Sequence, residues 1–472
     1  MHFRTRGRRA RRFALTGAAT LTAAAAATAI AFNAAGTAPT AQAATVTYDP
    51  LAPALDFNSF VENETTLVST ETEGPVATGG NLVVKGSYNV NIHEAGTFIA
   101  PGDAEQSGLV VGGRVDWTQD PATSVVQVHN YAKIGDLTGS EALNTDSNNA
   151  SVNTHVVADG AGYNSTPRLE LDTQEPLSSV ESSPIDFDAA FRQLRSNARK
   201  LSTCFAHKVE MKNPQGATVA KGEVQSDERI SITLEPGATN ILNVTGEDLN
   251  DMSELVFTNQ PTATMPLLIN VDTSNTGGEL DWDVANQPGA GGGNGAPYIL
   301  WNFNDTSRLT LTGGDTVEGS ILAPDADYTD LSASNVEGQI IAKNAVHGDI
   351  GFSGGEIHQF PFAAELACDT SEPSPDDITD VPSSGSPTSD APTSGGPTTD
   401  SPSSGEPTSG SSTGDTGSPS GGTDTTTTDG GFSPLATTGS SLGPIAFGAV
   451  ALILLGTGTV VAASMRRKRR ES

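Results

Sequence analysis

The chain has 472 residues, with 56 acidic against 25 basic side chains and a formal net charge of −31. A surface of that sign repels nucleic acid and anionic lipid, which excludes nucleic-acid partners and peripheral binding to acidic membranes. The six histidines outside the first 43 residues show no HExxH or paired metal spacing, so no histidine-based metal site is expected.

Residues 1–43 read as an export signal. Six arginines lie between Arg4 and Arg12, and an Ala/Leu/Thr-rich segment runs from Phe13 to about Phe32. Ala41-Gln42-Ala43 fits the small-x-small rule, so cleavage between Ala43 and Ala44 starts the mature chain. Between Ala44 and Thr438 there are 14 basic and 55 acidic residues, net −41. These acids are scattered, which reads as a solvated, non-aggregating surface rather than one acidic site.

Residues 44–368 are rich in Gly, Asn, Thr, Ser and Val, and short apolar strands recur between Gly/Asn/Asp turns, which predicts an all-β head. Early strands are Leu82-Val83-Val84 and Leu109-Val110-Val111, each flanked by glycine. Ser183 as N-cap and Pro184 in the first turn open a predicted helix whose stripe is Phe187, Phe191, Leu194, Ala198 and Leu201. That helix is expected to flank the sheet and cover apolar surface. Gly289–Gly295 reads as a flexible surface loop.

Val317-Glu318-Gly319-Ser320-Ile321-Leu322-Ala323-Pro324 returns 19 residues later as Val336-Glu337-Gly338-Gln339-Ile340-Ile341-Ala342-Lys343. A strand-turn-strand period near 20 suits a β-solenoid, in which each coil stacks its inward Val, Ile and Leu on the next. A β-sandwich is the alternative. Asp325, Asp327 and Asp330 could hold Ca²⁺ but lack the Gly and Glu of an EF-hand loop, and read as a solvated turn, so no metal is assigned. Gly355-Glu356-Ile357-His358 reads as an end-cap of the solenoid rather than an acid/base pair. Cys204 and Cys368 are both on the exported side and are expected to pair, tying the end of the head to its middle.

From Asp369 to Pro434 the chain is Ser, Thr, Pro, Gly and Asp, with 11 acids and no Lys, Arg or Leu. It buries too little to offset its ordering entropy and is expected to be a disordered, extended stalk. Leu435-Ala436-Thr437-Thr438-Gly439 follows, then an uncharged run from Ile445 to Met465 and the basic cluster Arg466–Arg470. Twenty-one such residues are long enough to span about 30 Å of hydrocarbon as a helix, with the basic end cytoplasmic. The pentapeptide resembles the LAxTG form of the sortase motif of high-GC Gram-positive bacteria. That resemblance implies cleavage after Thr438 and joining of Thr438 to peptidoglycan, with the membrane held through 445–465 only before processing.

Ala54-Leu55-Asp56-Phe57-Asn58, Ile185-Asp186-Phe187, Trp301-Asn302-Phe303-Asn304, the two repeats and Gly355–His358 together resemble the choice-of-anchor A domain over nearly all of 51–365. The resemblance implies an adhesive module of a bacterial surface protein, with no catalytic residues and no cofactor, facing an extracellular ligand. More distantly, the chain resembles β-solenoids with a flanking helix such as ice-binding domains. The competing expectation is a wall-attached carbohydrate-binding or carbohydrate-active protein. Ice binding would need a regular outward threonine ladder. Thr310 and Thr312 supply it on one strand, but the repeats at 321 and 340 do not continue it.

Overall fold

A strand of three or four residues with alternate apolar side chains has one face to bury and too little area to bury it alone. Here the chain winds, so that each strand lies on the corresponding strand of the next turn. In the computed structural model, residues 46–119, 122–350 and 354–368 are described, and all belong to one compact unit, Met1–Pro382. The export signal with its Ala43–Ala44 junction, the stalk 369–434, Leu435–Gly439, the 445–465 run and the basic tail lie outside the described residues. Among the described residues, no helix is long and apolar enough to cross a membrane.

Among the described residues the fold is mostly β, with few helices and no closed barrel. Parallel ladders run along three faces. The first runs Tyr131–Ile134, Ser107–Val111, Val76–Thr78, Ser59–Val61, Ile340–His347, Ser320–Asp330, Ile299–Asn302, Leu267–Asp272, Asn240–Thr245 and His207–Lys208. This is not chain order. The N-terminal coils grow outward from Ser59–Val61 to one end. The C-terminal coils start at the far end and return, until Ile340–His347 pairs with Ser59–Val61. Antiparallel pairing is confined to a few segments, such as Ser140–Thr145 with Ser151–Ala158 and Val46–Tyr48 with Leu366–Cys368. A sandwich is built from antiparallel sheets, and this parallel stack is not one.

The 19-residue repeat is a coil-on-coil register: Ile321 lies on Ile340, Leu322 on Ile341, Ala323 on Ala342 and Val317 on Val336. Its glycines are dictated by contact. Gly319 has φ +112°, and a Cβ on Gly338 would come within 2.7 Å of the Gly319 carbonyl carbon.

The helix Phe187–Ser202 lies on the first face, with Phe191, Leu194, Ala198 and Leu201 fully buried. Phe60 stacks on Phe187 and Phe191 at 5.2 and 5.5 Å between ring centroids. The cap is Asp186, whose carboxylate accepts from the Ala189 N–H at 2.9 Å, and not Ser183. Asp serves as well as Ser at this position, and buried Ile185 fixes the chain just before it. At the other end an in-register row, Asn243, Asn270 and Asn302, does a job the sequence reading missed. Asn302 donates to the Ala198 carbonyl at 3.0 Å and Asn270 to the Leu201 carbonyl at 3.1 Å, a second bond on a carbonyl that also takes the Cys204 N–H at 3.2 Å, so the sheet grips the last turn of the helix. Arg195 fixes the helix laterally, with its guanidinium on both oxygens of Glu62 and its Nε on Asp325 at 2.6 Å. Just past the helix, Cys204 and Cys368 form a disulfide with S–S 2.05 Å and Cα–Cα 5.1 Å.

Three local expectations are corrected. Ile357–His358 is not an end-cap: it lies between Glu71–Thr72 and Val336–Glu337, mid-stack, because the first coil packs on the last. Asp325, Asp327 and Asp330 belong to the strand Ser320–Asp330 rather than a solvated turn, and they diverge. Asp325 goes to Arg195, Asp327 accepts from Asn344 at 2.6 Å, and buried Asp330 accepts from Tyr328 at 3.1 Å. Gly289–Gly295 is not an open loop: Ala290 within it is fully buried, and the segment carries the 3-10 turn Gly292–Asn294.

Candidate interaction face

The second face is built by Glu279–Val284, Arg308–Gly314, the later halves of Ser320–Asp330 and Ile340–His347, and then Thr65–Leu67, Leu82–Val84 and Val115–Asp116. Strand alternation sends Leu280, Trp282, Leu309, Leu311, Tyr328 and Leu67 inward. The residue between each inward pair therefore faces out. Register lines these up as Asp281, Thr310, Thr329, Val346, Thr66, Val83 and Asp116. At about 4.8 Å per strand, the row is roughly 29 Å long and acidic at both ends, and within it Thr310 and Val83 are nearly buried, at 9% and 6% exposure.

Beside it runs a polar row, Glu279, Arg308, Asp327 and Asn344, whose side chains bond to one another and to the row itself. Arg308 binds Glu279 at 2.8 Å and Asp281 at 2.5 Å and donates to the Thr310 hydroxyl at 3.2 Å. Asn344 donates to Asp327, and its oxygen accepts from the Glu64 N–H at 3.2 Å. Side chains already held in register lose little freedom when a flat partner meets them.

This corrects the reading of the threonine ladder. The repeats at 321 and 340 fail to continue it because they lie on the first face, where Ile321 and Ile340 point inward and Leu322 and Ile341 pack with the helix. The continuation is Thr329 and Thr66, one corner further along each coil. Thr329 and Val346 are 17 residues apart rather than 19, since the register shifts between Ala323 and Asp327, and Val346 meets Thr66 across the whole domain. No periodicity scan of one strand could find such a row.

The third face carries a carboxylate row, Glu318, Glu337 and then His358, flanked by Glu73 and Glu356. His358 Nδ1 is 2.8 Å from Glu337, and Nε2 is 3.1 Å from Glu356 and 3.9 Å from Glu73. The hydrogen bond to Glu337 is the first cause that raises the imidazole to about 9, with Glu356 and Glu73 adding to it. Burial, then the neighbouring Glu337, pushes Glu318 up to about 7. With both ring nitrogens engaged, His358 acts as the countercharge of a like-charged ladder. Elsewhere, Glu94, His129 and Asp172 bring ligand atoms within 4.8 Å of one another, with His129 Nδ1 3.0 Å from Asp172. Asp227, Asp251, Asp283 and Asp315 line an open depression of about 470 Å³. Neither group was singled out from sequence, because their members come from different coils.

Residues 50–359 match the family described as "Putative Ice-binding-like adhesive domain". No curated protein matches the chain. Among solved structures, the chain is similar to an ice-binding protein from an Arctic yeast at 11% identity and TM-score 0.28, over 69% of this chain and 95% of that one. It is also similar to an ice-binding protein from an Antarctic biological consortium, at 12% identity and TM-score 0.23, over 69% and 96%. A third is the ice-binding protein of the Antarctic ascomycete Antarctomyces psychrotrophicus, at 12% identity and TM-score 0.24, over 64% and 96%.

Proposed function

The chain belongs to the family of ice-binding-like adhesive domains, and from that premise we propose that it is a surface protein whose head adheres through its threonine face. The observation that carries this reading is the in-register row Asp281, Thr310, Thr329, Val346, Thr66, Val83 and Asp116. A row of small hydroxyl and methyl side chains repeating at the strand spacing, with polar neighbours bonded to one another, suits an extended and repetitive partner. A polysaccharide sheet, a wall surface and an ice plane share that geometry. The head binds and does not catalyse. The choice-of-anchor A resemblance and the layout of 369–472 support display at the cell wall. In this reading a sortase cuts after Thr438, peptidoglycan receives Thr438 covalently, and the stalk holds the head clear of the membrane.

The test places charge on the row. Thr66→Lys with Thr329→Lys puts two cations onto half-buried positions of the face, while Gln127→Lys puts one on the third face as a control. Beads bearing the mature protein are scored on insoluble polysaccharides and isolated walls, and the free protein for ice recrystallisation. Loss of adhesion in the double variant alone is expected. Equal adhesion by all three proteins would refute the assignment to this face, and activity on ice alone would replace adhesion with ice binding. Wall fragments released by a muramidase should contain a peptide ending at Thr438 that carries a stem peptide. An intact peptide running through Gly439 would refute covalent anchoring.

A further inference from the structure

At one end of the stack, an outward position on the first face breaks the pattern of its row. The register runs Leu322, Ile341, Phe60, Ala77, Val110 and then Lys133 on the terminal strand Tyr131–Ile134. Lys133 is 1% exposed, although an isolated buried ammonium is among the costliest groups to desolvate. Two carboxylates meet it. Nζ lies 2.5 Å from Asp103 Oδ2 and 2.5 Å from Glu175 Oε1, and the two acids are 7% and 0% exposed.

The two acids are held differently. Glu175 is fixed: its Oε2 accepts from the Ala132 N–H at 2.8 Å, and its Oε1 also accepts from the Ser179 hydroxyl at 2.9 Å. Asp103 Oδ2 is buried without any hydrogen-bond partner, despite its closeness to the ammonium. The Lys133–Asp103 approach is therefore a close contact outside hydrogen-bond geometry, while Glu175 has the geometry of a proton relay. Burial raises the Glu175 carboxyl, which favours its protonated form.

We propose that Lys133 and Asp103 condense into an intramolecular isopeptide bond, with Glu175 carrying the protons. Glu175 takes a proton from Nζ and passes it to the Asp103 carboxylate, and the neutral amine attacks Cγ of the resulting acid. Glu175 then takes a second proton from the attached nitrogen and delivers it to the Asp103 hydroxyl, which leaves as water as its C–O bond breaks. The products are one amide and one water, and no oxidant or cofactor is needed. The fold supplies proximity and excludes bulk water from the reacting atoms. Condensation also removes two buried charges. The bond closes the segment 103–133 and fastens the terminal strand of the first face, whose outer side is otherwise held by the Ile134–Glu181 bridge and the Ser182 N–H on the Ile134 carbonyl at 2.9 Å. The inference rests on the triad alone and does not depend on which face adheres.

The experiment is an intact mass measurement on the purified mature chain after reduction, followed by tandem mass spectrometry of a tryptic digest. The expected result is a mass below the sequence value by one water, Lys133 resistant to trypsin, and a branched peptide joining Asp103 to Lys133. The branched peptide separates this bond from a succinimide at Asp103, which also loses water but leaves Lys133 cleavable. Glu175→Gln should fold, by circular dichroism, and keep the full mass. A folded wild-type chain at full mass with cleavable Lys133 would overturn the proposal, and that arm needs no variant to fold.

Discussion

The carboxylate row predicts a stability that depends on alkaline pH. His358 has its imidazole raised from 6.5 to about 9, chiefly by the hydrogen bond to Glu337. A folded-state pKa above the unfolded one means that the folded chain keeps its proton longer. The contribution is full below pH 6.5 and is lost as pH rises through 9. Two and a half units correspond to about 3 kcal/mol in full, of which about 2 kcal/mol remains at pH 7.5 and almost none at pH 10. The His358 side chain is 20% exposed, so screening by solvent removes little of this. Asp330 and Glu318, each raised to about 7 by burial, give losses of the same sign that are largely complete by pH 7.5. The comparison therefore starts at that pH. Glu337→Gln removes the largest cause while leaving Glu356 and Glu73. Urea unfolding at pH 7.5 and 9.5 should show the wild type losing about 2 kcal/mol and the variant less than half of that. A proton NMR titration reads the group directly: the His358 ring should titrate near 9 in the wild type and well below that in the variant. A wild-type ring titrating near 6.5, or equal alkaline losses in the two proteins, would refute the reasoning.

Phe60→Ala empties the site between two stacked rings and should cost about 3 to 5 kcal/mol in denaturant unfolding, since Phe60 is fully buried. Gly338→Ala drives a methyl into the Gly319 backbone and should lose at least about 1 to 3 kcal/mol or lower the yield of folded protein, whereas an alanine accepted without cost would contradict the coil spacing. Replacing both Cys204 and Cys368 by serine opens a link between residues 164 apart. The loop-closure entropy then predicts a loss of up to about 5 kcal/mol, read as a lower urea midpoint than that of the oxidised wild type.

Some of this protein was determined locally. The strand content followed from short apolar runs between turn residues, and the helix followed from Phe187, Phe191, Leu194, Ala198 and Leu201. The coil stacking over 317–343 followed from a repeat whose period became the register of Ile321 on Ile340. Each of these depends on neighbours within one or two turns of the chain, where side-chain spacing alone decides which face is buried. What the tertiary structure decided is everything that depends on the order of the coils. The first coil packs on the last, so His358 lies mid-stack among three glutamates, and Thr66 extends a row begun by Thr310 and Thr329. Asn270 and Asn302 come from two coils to meet one helix end, and Asp103 and Glu175 converge from separate segments upon the buried Lys133 ammonium. A parallel stack relates residues through strand register, and register across a reversed coil order leaves no trace in the spacing of any one segment.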